Sequence, residues 1–170
     1  PKGVPGTCVV CAMEGTRPIL AEVQGLVSVS AFGNPRRMST GYDYNRLNMI
    51  LAVLEKRSGY IFSNLDVYVN IVGGLRIDEP AADLAVAVAL LSSLKSNPVR
   101  EDVIVFGEIG LAGEVRAVSS AAARVSEAAR LGFKKCILPY YSMRGIKSPP
   151  SEIELAAVRE VRRAFDEASQ

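Results

Sequence analysis

The residues with the most chemical potential gather in one stretch. Asp78-Glu79-Pro80-Ala81-Ala82-Asp83 sets three carboxylates around a proline, at the mouth of an apolar run that continues to Lys95. Proline suits the first position of a helix, where its missing N–H is not needed. Asp78 and Glu79 stand where carboxylates accept from orphan amides and meet the positive helix end. Across 81–91 only Asp83 interrupts the apolar side chains, the composition of a helix buried on all sides. Gly73-Gly74 bends the chain just upstream. A bend feeding the exposed start of a buried helix is a place where an active site can sit. The carboxylates themselves read as helix caps or as partners of Arg76. A paired acid/base role lacks support, because nothing else in the stretch marks a substrate pocket.

What is missing bounds the chemistry further. The 170 residues contain no histidine. A Ser-His-Asp triad, a Cys-His pair and an imidazole base are therefore excluded within the chain. No G-x-x-x-x-G-K-[ST] occurs, so no P-loop is present. Cys8 and Cys11 form a C-x-x-C, with Cys136 as the third cysteine. Their context is strand-like, and residues three apart on a strand face opposite ways. Without histidine or a second pair, four zinc ligands cannot be drawn from Cys and His. Buried strand cysteines are the preferred reading, and no metal is assigned. An odd cysteine count with no apolar leader suits a reduced, cytoplasmic setting. Residues 1–5 read as linker, and the absence of an initiator methionine suggests a piece of a longer protein. No apolar run approaches membrane-spanning length. A net charge of +2 is too small to argue nucleic-acid binding by itself.

The elements that must position this stretch can be read from periodicity. Two strands over 6–14 and 18–30 form a hairpin around Gly15-Thr16. A polar third strand covers 36–40 and stops at Gly41. Asp43 caps a helix over 44–56, with Leu47, Ile50, Leu51 and Leu54 on one face. A strand over 66–72 turns Val67, Val69 and Ile71 to one side, and the helix over 80–95 follows. A short strand covers 103–106, and the glycine-rich 107–115 is a tight hairpin. A helix spans 121–131, a strand 135–138, a loop 140–150, a strand 153–157 and a closing helix 158–168. The order is not a strict β–α alternation, so one α/β (α+β) domain over 1–170 with a mixed sheet is expected.

Several strings carry a family resemblance. They are Met13-Glu14-Gly15-Thr16-Arg17-Pro18, Phe32-Gly33-Asn34-Pro35-Arg36-Arg37, Asp43-Tyr44-Asn45-Arg46-Leu47, Asp66-Val67-Tyr68-Val69-Asn70, Gly73 through Leu84, and Val105-Phe106-Gly107-Glu108-Ile109-Gly110-Leu111. Together they resemble the Lon-protease-like domain at the C-terminal end of RadA-type (Sms) DNA repair and recombination proteins. The resemblance implies the fold of the Lon proteolytic domain, related to the second domain of a small-subunit ribosomal protein. In proteolytic Lon domains a Ser opens the helix in an Asp-Gly-Pro-Ser-Ala-Gly segment, and a Lys lies on the helix after the Gly-Glu hairpin. By that likeness Ala81 takes the serine's place and Ala122 the lysine's. A methyl group cannot attack a carbonyl, and no amine is left to take a proton. No catalytic residue is expected, and Ser92, Ser93, Ser119 and Ser120 stand at the wrong places for a nucleophile.

The same resemblance implies a non-proteolytic scaffold within an ATP-dependent branch-migration helicase. The domain would form a tier of a hexameric ring of identical subunits and contact DNA, with a recombinase as a further partner and no membrane. ATP, Mg and Zn would belong to other parts of the longer protein. The cations available for phosphates are Arg36, Arg37, Arg46, Lys56, Arg57 and Arg76. Solvated charges or subunit salt bridges are the plainer reading of any one of them. No interleaving of aromatic and basic residues is evident, which favours backbone contact with duplex over base stacking. A Ser/Lys peptidase with a non-standard dyad and a pure protein-interaction module are the alternatives.

Overall fold

The computed structural model describes residues 3–169. The 1–5 linker expected from sequence therefore lies partly outside the described residues. β1 (Thr7–Glu14) and β2 (Arg17–Val29) make the expected hairpin, closing Glu14 onto Arg17. β3 (Arg37–Thr40) runs parallel to β4 (Leu65–Ile71), which pairs antiparallel with β2. On the other side of β1, β5 (Val103–Val105), β8 (Lys135–Pro139) and β9 (Glu154–Val158) follow in parallel. The seven strands lie in the order β3-β4-β2-β1-β5-β8-β9, the mixed sheet expected from the element order. β6 (Glu108–Ile109) and β7 (Val115–Arg116) form a separate small hairpin from the glycine-rich segment.

Strand alternation sends Cys8, Val10, Val23, Val67, Val69 and Ile71 to one face, all buried. α2 (Asp83–Lys95) packs there on β1, β2 and β4, with α1 (Tyr44–Ser58) and α4 (Val161–Ala168) beside it. Residues Asp83 through Ser92 are all buried, so the apolar run does form the central helix. Gly25 lets α2 approach: a Cβ there would come within 3.2 Å of the Ala89 and Leu90 backbone. α3 (Ala121–Arg130) packs on β1 and β2 and screens the opposite side, where Cys11 points. Cys8 and Cys11 thus face opposite ways, both buried.

Most element ends shift by one or two residues from the periodicity reading, and three differences go further. The central helix is prefaced by a separate 3-10 turn, Pro80–Ala82, because proline and the tight chain entry favour i→i+3 bonding there. Val158 completes β9 instead of starting the closing helix, which begins at Val161. The segment read as a loop after β8 begins with a 3-10 turn, Tyr140–Gly145. The Asp43 cap is as expected: its carboxylate accepts from the Arg46 N–H, and Gly59 closes α1 in the left-handed conformation.

Candidate functional site

The Pro80–Ala82 turn sits at the carboxyl ends of β1 and β5. The Gly107 N–H donates to the Ala81 carbonyl at 2.8 Å, and the Leu84 N–H to the Gly107 carbonyl at 3.0 Å. The Met13 N–H, near the end of β1, donates to Glu79 Oε1 at 3.0 Å. Ligand sites in open α/β sheets gather at this end of the strands. A cleft of about 310 Å³ opens here, lined by Tyr42, Asp43, Arg46, Arg76, Ile77, Asp78, Glu79 and Pro80. Gly41 shapes its wall. Its φ is +84°, and a Cβ there would lie 2.5 Å from the Leu75 carbonyl oxygen, so the turn that aims Tyr42 inward is open only to glycine.

Ala81 stands between two carboxylates, and each is tied to an arginine from another element. Asp83 is fully buried. Its Oδ1 accepts from Tyr42 Oη at 2.6 Å and Arg46 Nε at 2.7 Å, and its Oδ2 from Arg46 and from the Ile109 N–H at 3.0 Å. Every acceptor direction of the carboxylate is in use, which is the condition for a buried charge to be tolerated. Burial, then the Asp83 charge, push the Tyr42 phenol well above the ordinary tyrosine value, so it stays protonated and donates. The hydrogen bond to Asp83 likewise raises the Arg46 guanidinium.

Glu79 is held on the other side by Arg124. This arginine is 1% exposed, the largest fully buried side chain among the described residues. It grips both Glu79 oxygens, donates to the Cys11 carbonyl at 3.0 Å and to the Ser119 carbonyl at 2.9 Å, and lies 5.5 Å from the Phe106 ring centroid. The arrangement cross-braces β1, α3 and the Ala81 turn.

These contacts correct several expectations. Neither Asp78 nor Glu79 caps the helix; no side-chain cap bond forms at Glu79. Arg76 pairs with Asp78 at 2.7 Å, out in solvent, and not with Glu79 or Asp83. Ala122, the position matched to the lysine, is not the α3 residue that meets the Ala81 turn. It is exposed, and the α3 residue that reaches the Ala81 turn is Arg124. The signal was present in the sequence. Ala121, Val125 and Ala128 are the buried stripe of α3, and helical spacing puts Arg124 on that stripe and Ala122 off it. Ser92, read from the sequence as a helix-surface or core-edge serine, lies on the core side. It is buried and receives the Gly6 N–H at 2.9 Å, fixing the start of β1.

The six predicted phosphate-binding cations do not form one patch. Arg46 and Arg76 line the cleft, but Arg46 is committed to Asp83. Arg36 and Arg37 lie at the opposite end of β3, and Arg37 is spent on the Leu65 and Phe62 carbonyls. Lys56 and Arg57 sit at the far end of α1, roughly 15 Å along the helix from Arg46 at ~1.5 Å per residue. Arg36, Lys56, Arg57 and Arg76 are exposed. Glu108, read from the sequence as a partner for neighbouring backbone with no catalytic role, has its carboxylate 3.9 Å from both Arg46 and Arg116. It is a bridge between the cleft and the β6–β7 hairpin.

A protein-family model described as subunit ChlI of Mg-chelatase matches residues 24–142. The chain belongs to that family. Relatives of this chain include DNA repair proteins named RadA. The one from Halalkalibacterium halodurans is 51% identical over 164 residues, 96% of this chain and 36% of that protein. Those from Bacillus subtilis and Streptococcus pneumoniae are 47% and 50% identical, over 96% and 92% of this chain and 35% and 37% of theirs. The RadA-type resemblance drawn from the motif strings therefore stands. The chain spans about a third of the length of these curated relatives. Among the described residues no helix is long and apolar enough to cross a membrane.

Proposed function

We propose that this ChlI-type domain is a non-proteolytic, Lon-like module of a RadA-type DNA repair and recombination protein. In this reading it is a scaffold for a hexameric ring and a DNA-contacting surface beside an ATP-dependent branch-migration helicase. The longer protein would supply the ATP, Mg and Zn sites and the contact with a recombinase. One observation carries the non-proteolytic part: the turn that should present a nucleophile presents the Ala81 methyl, 2% exposed. The carboxylates on both sides are paired with arginines, Asp83 with Arg46 and Glu79 with Arg124. The DNA part is supported by the RadA relatives and by the exposed cations Arg36, Lys56, Arg57 and Arg76.

The test joins three measurements on the 170-residue chain. Sedimentation with and without duplex DNA, at low and moderate salt, should show an oligomer. Duplex affinity should fall steeply with salt. The Arg36→Ala/Arg76→Ala double variant should flatten that salt slope by about one unit for each phosphate it no longer neutralises. Incubation with casein should give no cleavage. Cleavage that one Ser→Ala substitution abolishes would overturn the non-proteolytic reading, and a salt-independent monomer that binds no DNA would overturn the rest.

A further inference from the structure

A second surface lies at the same end of the sheet, beyond the β6–β7 hairpin. Pro139 ends β8 and the Tyr140–Gly145 turn follows. Ser142 is 4% exposed, and its Oγ accepts from the Val118 N–H at 3.1 Å. The Ile146 N–H closes the turn on the Met143 carbonyl at 3.1 Å. With Ser142 pinned inward, Tyr140 and Tyr141 are held outward, 45% and 48% exposed. Their rings meet edge to face, with centroids 5.3 Å apart. Arg159, between β9 and α4, lays its guanidinium 4.0 Å from the Tyr140 centroid and 6.0 Å from that of Tyr141. The Arg159 backbone is itself held, since its carbonyl accepts the Val115 N–H at 2.9 Å.

Two features separate this cluster from ordinary surface aromatics. It is rigidly presented by three elements, and its surroundings are cationic. Arg144 and Lys147 are exposed on the turn and the residues just after it, and Arg116 is exposed on β7, which packs against the turn. Glu108, 3.9 Å from Arg116, and Glu114 and Glu160, bridged to one another through their backbones, are the acidic groups close by. A greasy protein partner would be matched by aliphatic neighbours. Stacked rings and a guanidinium plane ringed by further cations match a polyanion with flat faces.

We propose that Tyr140, Tyr141 and Arg159 form a stacking platform for the unpaired bases of single-stranded DNA, with Arg116, Arg144 and Lys147 facing its phosphates. This rests on the DNA-binding reading above and adds a strand state to it. Stacking on aromatic rings and guanidinium planes is sequence-tolerant, because every base offers a π-face. The platform sits on the carboxyl ends of β8 and β9, beside the cleft at the ends of β1 and β5. Arg116 and Glu108 connect the two surfaces through the β6–β7 hairpin.

Fluorescence anisotropy with an oligo-dT probe and, separately, a blunt duplex tests the platform. Tyr140→Ala/Tyr141→Ala should weaken oligo-dT binding by about 10- to 100-fold and leave duplex binding unchanged. Tyr140→Phe/Tyr141→Phe keeps the rings and should bind oligo-dT like the parent, which separates stacking from lost fold. Equal oligo-dT affinity in the parent and the alanine variant overturns the platform. So does a parent chain that binds duplex but not oligo-dT, with the DNA-binding reading left intact. A parent that binds neither overturns both.

Discussion

Arg124→Ala is the sharpest probe of how the degenerate site is held together. The substitution removes a guanidinium that is 1% exposed and four hydrogen bonds with it. Glu79 keeps only the Met13 N–H, and the Cys11 and Ser119 carbonyls lose their donor. Breaking one side of a buried ion pair costs about 3–5 kcal/mol. Glu79 is 24% exposed on its side chain, so water partly solvates the orphaned carboxylate, and the lower end, about 3 kcal/mol, applies. At about 2–4 °C per kcal/mol for a chain of this size, the melting temperature should fall by roughly 6–12 °C. Urea denaturation followed by far-UV circular dichroism measures the free energy, and a thermal scan the midpoint. Arg124→Met/Glu79→Gln should recover part of the loss, because the uncompensated charge is gone while the Gln oxygen still receives the Met13 N–H. A double-mutant cycle should give a coupling above about 1 kcal/mol. A single-variant loss below about 1 kcal/mol would refute the claim that this pair braces β1, α3 and the Ala81 turn.

Two further outcomes follow from titratable groups. Burial pushes the Cys11 thiol up to about 12 and raises Cys8 and Cys136 as well, so a thiol reagent at neutral pH should label none of the three until denaturant is added; stoichiometric labelling of the native chain would contradict their placement. Glu167 is held below the ordinary glutamate range, chiefly by its hydrogen bond to Lys135, with Lys135 and Arg163 charges assisting against desolvation. A depressed carboxyl stabilises the fold above its unfolded pKa and loses that contribution as pH falls through the folded one. Stability should therefore drop below about pH 4 to 5, and less steeply in Lys135→Met than in the parent.

Much of the fold is legible in the sequence because its signals are local. The alternation of β1 and β2, the Asp43 cap and the apolar 81–91 run each depend on residues within a few positions of one another. The site is less legible because its contacts are distant in sequence. Arg46 meets Asp83, and Arg124 meets Glu79, only after α1, α2 and α3 have been set on the sheet. Local reasoning assigns those carboxylates to the nearest helix end or the nearest arginine. Tertiary pairing wins because a buried carboxylate needs several donors, and the guanidinium forks from α1 and α3 supply them. Tyr140 and Tyr141 read as ordinary loop residues. Their outward presentation depends on Ser142 bonding back to Val118, and the guanidinium beside them comes from Arg159, nineteen positions beyond Tyr140.

The placement of β1 has a consequence for how the chain comes together. Its neighbour β2 is reached through a two-residue turn, but its other neighbour is β5, with Val9 opposite Ile104. During N-to-C synthesis β1, β2, β4 and β3 can pair once Ile71 is available, while the second edge of β1 waits for residues 103–105. Non-local strand pairing is the slow part of sheet formation, and an unpaired edge is the part that invites wrong partners. The central helix α2 is made in that interval and can cover the growing apolar face before β5 docks. The bonds between Gly107 and the Ala81 turn can close only afterwards. The turn beside the cleft is thus fixed only after β5 is made, and a nascent chain stalled before β5 would carry the helix without the bonds that hold its entry.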